Sequence, residues 1–152
     1  MRAPGLALLL LLPAIALAET KMLSRDFACQ AYPAPRSQAL CRALEAGLEW
    51  TWFGHAIVSP GWRPSFEGTA KVFCAQKVSP LDIDALLPLT RAQDWRLESA
   101  AKWLVILLGP KAIERLPASA LKEEMELSVT APNSIWNPAH PAFPIRRGCQ
   151  GF

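Results

Sequence analysis

Residues 92–108 read AQDWRLESAAKWLVILL, and the reading of this stretch decides the fold. Asp94, Glu98 and Lys102 recur every four residues as one polar stripe, with Glu98 placed to pair with Lys102 a turn later. From Trp103 to Leu108 every residue is apolar, so this half of the helix must be enclosed by protein. A membrane-spanning helix needs roughly 20 apolar residues; the charges at Arg96, Glu98 and Lys102 leave too short a run. Gly109-Pro110 then ends the helix. The stretch predicts a helix from about Ala92 to Leu108 within a mostly helical domain.

Working outward, Ser79 is a helix cap, with Pro80 at the first helical position and Asp82 at the third. Leu81, Ile83, Leu86, Leu87 and Leu89 supply the apolar face, and Pro88 ends or kinks that helix. Upstream, Leu40, Leu44, Leu48 and Trp52 recur every four residues opposite Arg42, Glu45 and Glu49. This pattern predicts an amphipathic helix from near Arg36 to about Ile57. Gly47 and Gly54 lie on its same face, so either a close helix–helix approach compensates for them or Gly54 marks the helix end. Between these helices, SPGWRPSFEG (59–68) reads as a loop and TAKVFC (69–74) as a short extended approach. Downstream, Lys111–Leu116 predicts a turn or two. Pro117–Leu127 predicts a helix exposing Lys122, Glu123, Glu124 and Glu126.

The ends differ in character. The tail APNSIWNPAHPAFPIRRGCQGF (131–152) holds four prolines and no acid; an extended tail over the helical body is expected. Residues 19–35 read as an extended lead or a short helix. At the amino terminus, Arg2, the apolar run Leu6–Leu12 and Ala16-Leu17-Ala18 compose a secretory leader cut after Ala18. An uncleaved anchor is the rival reading. A lipoprotein is disfavoured because Cys29 follows Asp26-Phe27-Ala28. Cleavage leaves 134 of the 152 residues and lowers the formal charge from +3 to +2. The expected product is a periplasmic or secreted, mainly α protein. It has one small domain of about four to five helices over 19–129, stapled by disulfides, with the Pro-rich tail 130–152 packed on it.

Four cysteines, Cys29, Cys41, Cys74 and Cys149, survive cleavage. In an exported small domain an even number reads as two disulfides with three possible connectivities. Locality favours Cys29–Cys41, leaving Cys74–Cys149 to tie down the tail. A metal site is disfavoured because no C-x-x-C occurs and only His55 and His140 are available. No cofactor is expected, and no Lys/Arg run suggests nucleic acid.

No G-x-S-x-G, H-E-x-x-H or phosphate-binding glycine loop is present, and the chain is not expected to be an enzyme. Asp82 and Asp84 point to different sides of a helix start and suit the macrodipole there. His55, closing WTWFGHAIV, reads as a packed or helix-terminal histidine, with a general base beside Glu49 as the alternative. Trp52, Trp95 and Trp103 fit helix packing. Trp62 stands apart, among turn residues beside Arg63 and near Phe66, a composition favoured at protein–protein hot spots. Its alternative is a structural anchor for the loop.

One arrangement carries a resemblance over about residues 37–108. Cys41-x5-Gly47 within a helix is followed by a loop, then Phe73-Cys74, Val78-Ser79, a helix, and Ala100-Ala101-Lys102-Trp103-Leu104-Val105. This order resembles the Rap/Tai type of immunity protein, exported partners of amidase toxins delivered by type VI secretion. The chain departs from that pattern at Leu44, where an aromatic is usual, and at Gln76, where a proline is usual. Gly109-Pro110 stands where a closing cysteine belongs, and the last cysteine is displaced to Cys149. The resemblance implies a protein that binds a peptidoglycan amidase and occludes its active site. Trp62, Arg63 and Phe66 are candidates for the partner surface on their own composition, not by carry-over. The alternatives are an envelope carbohydrate or peptidoglycan binder using exposed tryptophans, or a structural envelope protein.

Overall fold

The computed structural model describes residues 26–47, 50–53, 61–64, 66–143, 145 and 148–151, with only the backbone described for the two strands and Phe66. The protein is mainly α. Its helices are α1 (Pro35–Gly47), α2 (Phe66–Ala75), α3 (Ile83–Leu86), α4 (Trp95–Leu107), α5 (Pro110–Ile113) and α6 (Ala120–Thr130). Between α1 and α2 lie two antiparallel strands, β1 (Trp50–Phe53) and β2 (Gly61–Pro64). The proposed secretory leader lies outside the described residues.

Among the described elements α4 is the hub, packing against α1, α2, α3, α5 and α6 and against β2. Its sequence explains this. Asp94 caps the first turn by accepting from the Arg96 amide at 2.9 Å. Ala100 and Ala101 are fully buried and admit neighbouring helices closely, while Leu104 and Val105 are equally enclosed. Each fully buried leucine contributes about 1.5–3 kcal/mol of transfer free energy. The foreseen Glu98–Lys102 pair forms at 3.0 Å, and Lys102 also reaches Glu124 of α6 at 3.0 Å, bracing the two helices. Gly109, at φ 90°, turns the chain so that Pro110 can open α5.

The segment from α2 to α3 is a helix stop followed at once by a helix start. The Val78 amide donates to the Phe73 carbonyl and the Lys77 amide to that of Cys74, both at 3.1 Å, which closes α2 as a Schellman motif. Lys77 occupies the left-handed position at φ 49°. Ser79 then caps the next turn, Pro80–Asp82, accepting from the Leu81 amide while Asp82 accepts from the Ser79 amide at 2.9 Å. This is the capping box expected from the sequence, opening a 3-10 turn that passes into the short α3. Leu86 and Leu89 are fully buried as foreseen, but Leu81 is 94 % exposed.

Two other expectations are corrected. The first helix ends at Gly47 instead of continuing to Ile57, and Trp50–Phe53 is a strand. WTWF is aromatic and β-branched, and two-residue alternation outweighed the four-residue spacing there. The segment 69–74, expected to be extended, lies within α2, where Thr69 and Ala70 are fully buried. Gly47 is nevertheless a point of close helix approach: a Cβ built there would sit 2.9 Å from Cγ2 of Val72 on α2. Gly54 lies outside the described residues.

Both disulfides have the connectivity that locality favoured. Cys29–Cys41 ties the amino-terminal segment to α1, and Cys74–Cys149 ties the tail to α2. With separations of 12 and 75 residues, loop-closure entropy assigns them about 3 and about 4.5 kcal/mol. The tail packs on the domain through Trp136, whose ring centroid lies 5.3 Å from that of Trp103 on α4. Its local form is a run of shared turns. Amides of Ser134, Asn137, His140 and Phe143 each donate to the carbonyl three residues back. Ser134, Asn137 and His140 reinforce the corners, each accepting from the amide two residues on. Pro132, Pro138 and Pro141 occupy second positions of these turns, which their fixed φ suits.

Candidate interaction surface

The hairpin between α1 and α2 holds the residues that sequence reasoning singled out. Trp62 and Arg63, expected in a loop, lie instead on β2, and Phe66 is the first residue of α2. The register pairs Trp50 with Pro64, Thr51 with Arg63, Trp52 with Trp62 and Phe53 with Gly61. Directly opposed residues of an antiparallel ladder share a face. The ribbon therefore sets Trp50, Trp52, Trp62 and Pro64 on one face and Thr51, Phe53, Gly61 and Arg63 on the other. The side chains of this ribbon and of Phe66 lie outside the described residues, as do His55 and Glu49.

What holds the ribbon is well defined. α1 and α2 pack directly on each other at Gly47 and Val72, and each helix carries one disulfide half, Cys41 and Cys74. The start of α1 is fastened to the α3 side. Arg36 donates from Nε to Asp82 Oδ1 at 2.8 Å and from Nη2 to the Gln76 carbonyl at 2.9 Å. Ser37, fully buried, donates to the Ala85 carbonyl at 2.8 Å. The hydrogen bond from Arg36, aided by that from the Ser79 amide, holds the Asp82 carboxyl below its ordinary range against the opposing effect of burial.

The other candidate chemical groups are accounted for structurally. Asp82 is a cap and an ion-pair partner, while Asp84 is exposed in the first turn of α3. His140 accepts through Nδ1 from the Ala142 amide at 3.1 Å, so it serves as a turn corner. Burial opposes ionisation of Asp94, but hydrogen bonds from the Arg96 side chain and amide outweigh it and hold the carboxyl low. Burial likewise works against the Lys102 charge, and Glu124 and Glu98 together raise its pKa nonetheless. All four cysteines are paired, and no group of three potential metal ligands occurs among the described residues.

Trp95 was expected in the packing but is half exposed, and Leu127 on α6 is 70 % exposed. Nothing in the spacing of either residue distinguished it from its buried neighbours. No protein-family model, curated protein or solved structure matches this chain.

Every position that carries the family resemblance has a structural duty. Cys41 forms a disulfide, and Gly47 admits α2. Phe73 and Val78 close α2, and Ser79 caps the turn that leads into α3. Ala100 and Ala101 let α4 be approached. These residues thus form part of the scaffold.

Proposed function

We propose that the mature chain is an exported binding protein, an immunity-type inhibitor that occludes a peptidoglycan amidase effector. The observation that carries this reading is the mounting of the Trp- and Arg-bearing hairpin between two helices that pack on each other and are each held by a disulfide. Inhibition by occlusion asks for a preorganised surface, because ordering a flexible loop on binding subtracts from affinity. The order of scaffold motifs shared with the Rap/Tai type supplies the class of partner. Export fits the paired cysteines, and among the described residues no helix is long and apolar enough to cross a membrane.

The test is to mix the purified, oxidised protein with a purified peptidoglycan amidase of the type VI effector class and follow peptidoglycan cleavage. Stoichiometric inhibition is expected, and the double variant W62A/R63A should weaken binding at least tenfold, as the loss of hot-spot contacts does. Undiminished cleavage removes the inhibitor reading. Full inhibition with unchanged affinity in W62A/R63A moves the contact surface off the hairpin.

A further inference from the structure

The two disulfides differ in access. Cys29 and Cys41 are 3 % and 0 % exposed, sealed within the hydrophobic core. Cys149 is an exposed residue in the terminal turn Gly148–Gly151, and Cys74 is half-buried on α2. Thiol–disulfide exchange requires a thiolate to reach a sulfur along the bond axis, so access decides which bond is attacked.

Among the described residues, the two ends of the tail are each gripped by the body. One grip is Trp136, buried against Trp103 at the tail's near end. The other is the Cys74–Cys149 bond at its far end. Between them the chain bonds to its own neighbours. Asn137 Nδ2 reaches the Thr130 and Ala131 carbonyls, and the successive turns close on themselves. Phe143 and Ile145 lie half-buried against the core, so these two side chains cover apolar surface.

We propose that Cys74–Cys149 is a redox-opened latch: an exported dithiol reduces it while Cys29–Cys41 stays intact, and Phe143, Ile145 and the turn Gly148–Gly151 lift from the body. In the step, a thiolate of the dithiol attacks Sγ of Cys149 and expels Cys74 as a thiolate, which takes up a proton. The second thiol of the dithiol then attacks the mixed disulfide and releases Cys149. The dithiol ends oxidised to its disulfide, and the protein gains two thiols. Trp136 retains its grip, so release starts at the carboxy terminus and uncovers the core surface under Phe143 and Ile145. Cys74 lies on the helix that directly follows β2, so the latch closes on the element that supports the hairpin.

Graded dithiothreitol under native conditions, followed by thiol alkylation and peptide mass mapping, tests this. Cys74 and Cys149 should be labelled together in molecules whose Cys29 and Cys41 remain unlabelled. Far-UV circular dichroism should be unchanged, and amide exchange should accelerate at Phe143, Ile145 and 148–151. Simultaneous labelling of all four, or unchanged exchange at Phe143, Ile145 and 148–151 after selective cleavage, overturns the proposal. The variant C74S/C149S is a second check. It should fold to the native spectrum and be clipped by protease within 143–151; failure to fold, or resistance to clipping, equally overturns it.

Discussion

Gly47 is the position at which a single methyl group decides how closely α1 and α2 can lie. Alanine is favoured over glycine by about 1 kcal/mol in a helix interior. A Cβ at 47, however, would meet Cγ2 of Val72 at 2.9 Å, and valine in a helix has essentially one χ1 well in which to retreat. The clash should win. G47A is expected to lose about 1–2 kcal/mol in urea unfolding, and G47A/V72A should recover part of that loss relative to V72A alone. If G47A is instead stabilised, the helices are not in close contact there. Asp82 offers a second test through pH. Its folded pKa is depressed by Arg36, so its contribution is fully present above the ordinary carboxylate pKa of about 3.9 and is lost as pH falls through the lower folded value. D82N should therefore cost about 1–2 kcal/mol at pH 7. The gap to the parent should close as pH falls through the depressed folded pKa of Asp82. Asp94, depressed in the same direction by Arg96, keeps part of the acid sensitivity in the variant.

At the scale of elements, the joint between α2 and α3 shows what sequence can convey and what it hides. The Ser79-Pro80-x-Asp82 start was legible because capping is local chemistry, written in residues that touch one another. The stop just before it was not, because its left-handed position carries Lys77 in place of the glycine that usually announces a Schellman motif. A non-glycine residue there costs about 1–2 kcal/mol. K77G should accordingly raise stability by about 0.5–1 kcal/mol, read as a higher urea midpoint with unchanged slope. A loss instead would mean that the lysine side chain makes a compensating contact. α4 was legible for another reason: its polar stripe, its apolar end and the Gly109-Pro110 stop all agree. α2 was missed because Gly68 and Thr69 are poor helix formers, and only burial against α1 and α4 makes them helical. The hairpin was missed because Leu40, Leu44 and Leu48 carried a four-residue rhythm past Gly47 onto Trp52. The competing signal was present in the alternation of Trp50 and Trp52. The candidate site was legible only as composition, since which strand pairs with which is a long-range fact.

At the scale of the molecule, stability rests on how the amino-terminal segment is closed over the helices. Phe27 is buried, its amide donates to Glu45 on α1 at 2.9 Å, and the Arg96 guanidinium lies over its ring at 5.5 Å. Cys29–Cys41 fixes this segment covalently, and both sulfurs sit inside the core, so the bond belongs to the cooperative unit. This contrasts with Cys74–Cys149, whose long loop gains its full entropic value only when body and tail unfold together. A tail that lifts separately returns much less of that value to the body. C29A/C41A is therefore expected to lose about 3 kcal/mol in a single cooperative urea transition, with alanine chosen so that no hydroxyl is buried unpaired. Because both unfolded and folded states change, the loss should appear in the urea midpoint, with a slope no smaller than the parent's. A loss under about 1 kcal/mol would place residues 26–32 outside the cooperative unit. The helical body would then be held by its own interhelical packing and ties, without help from that segment.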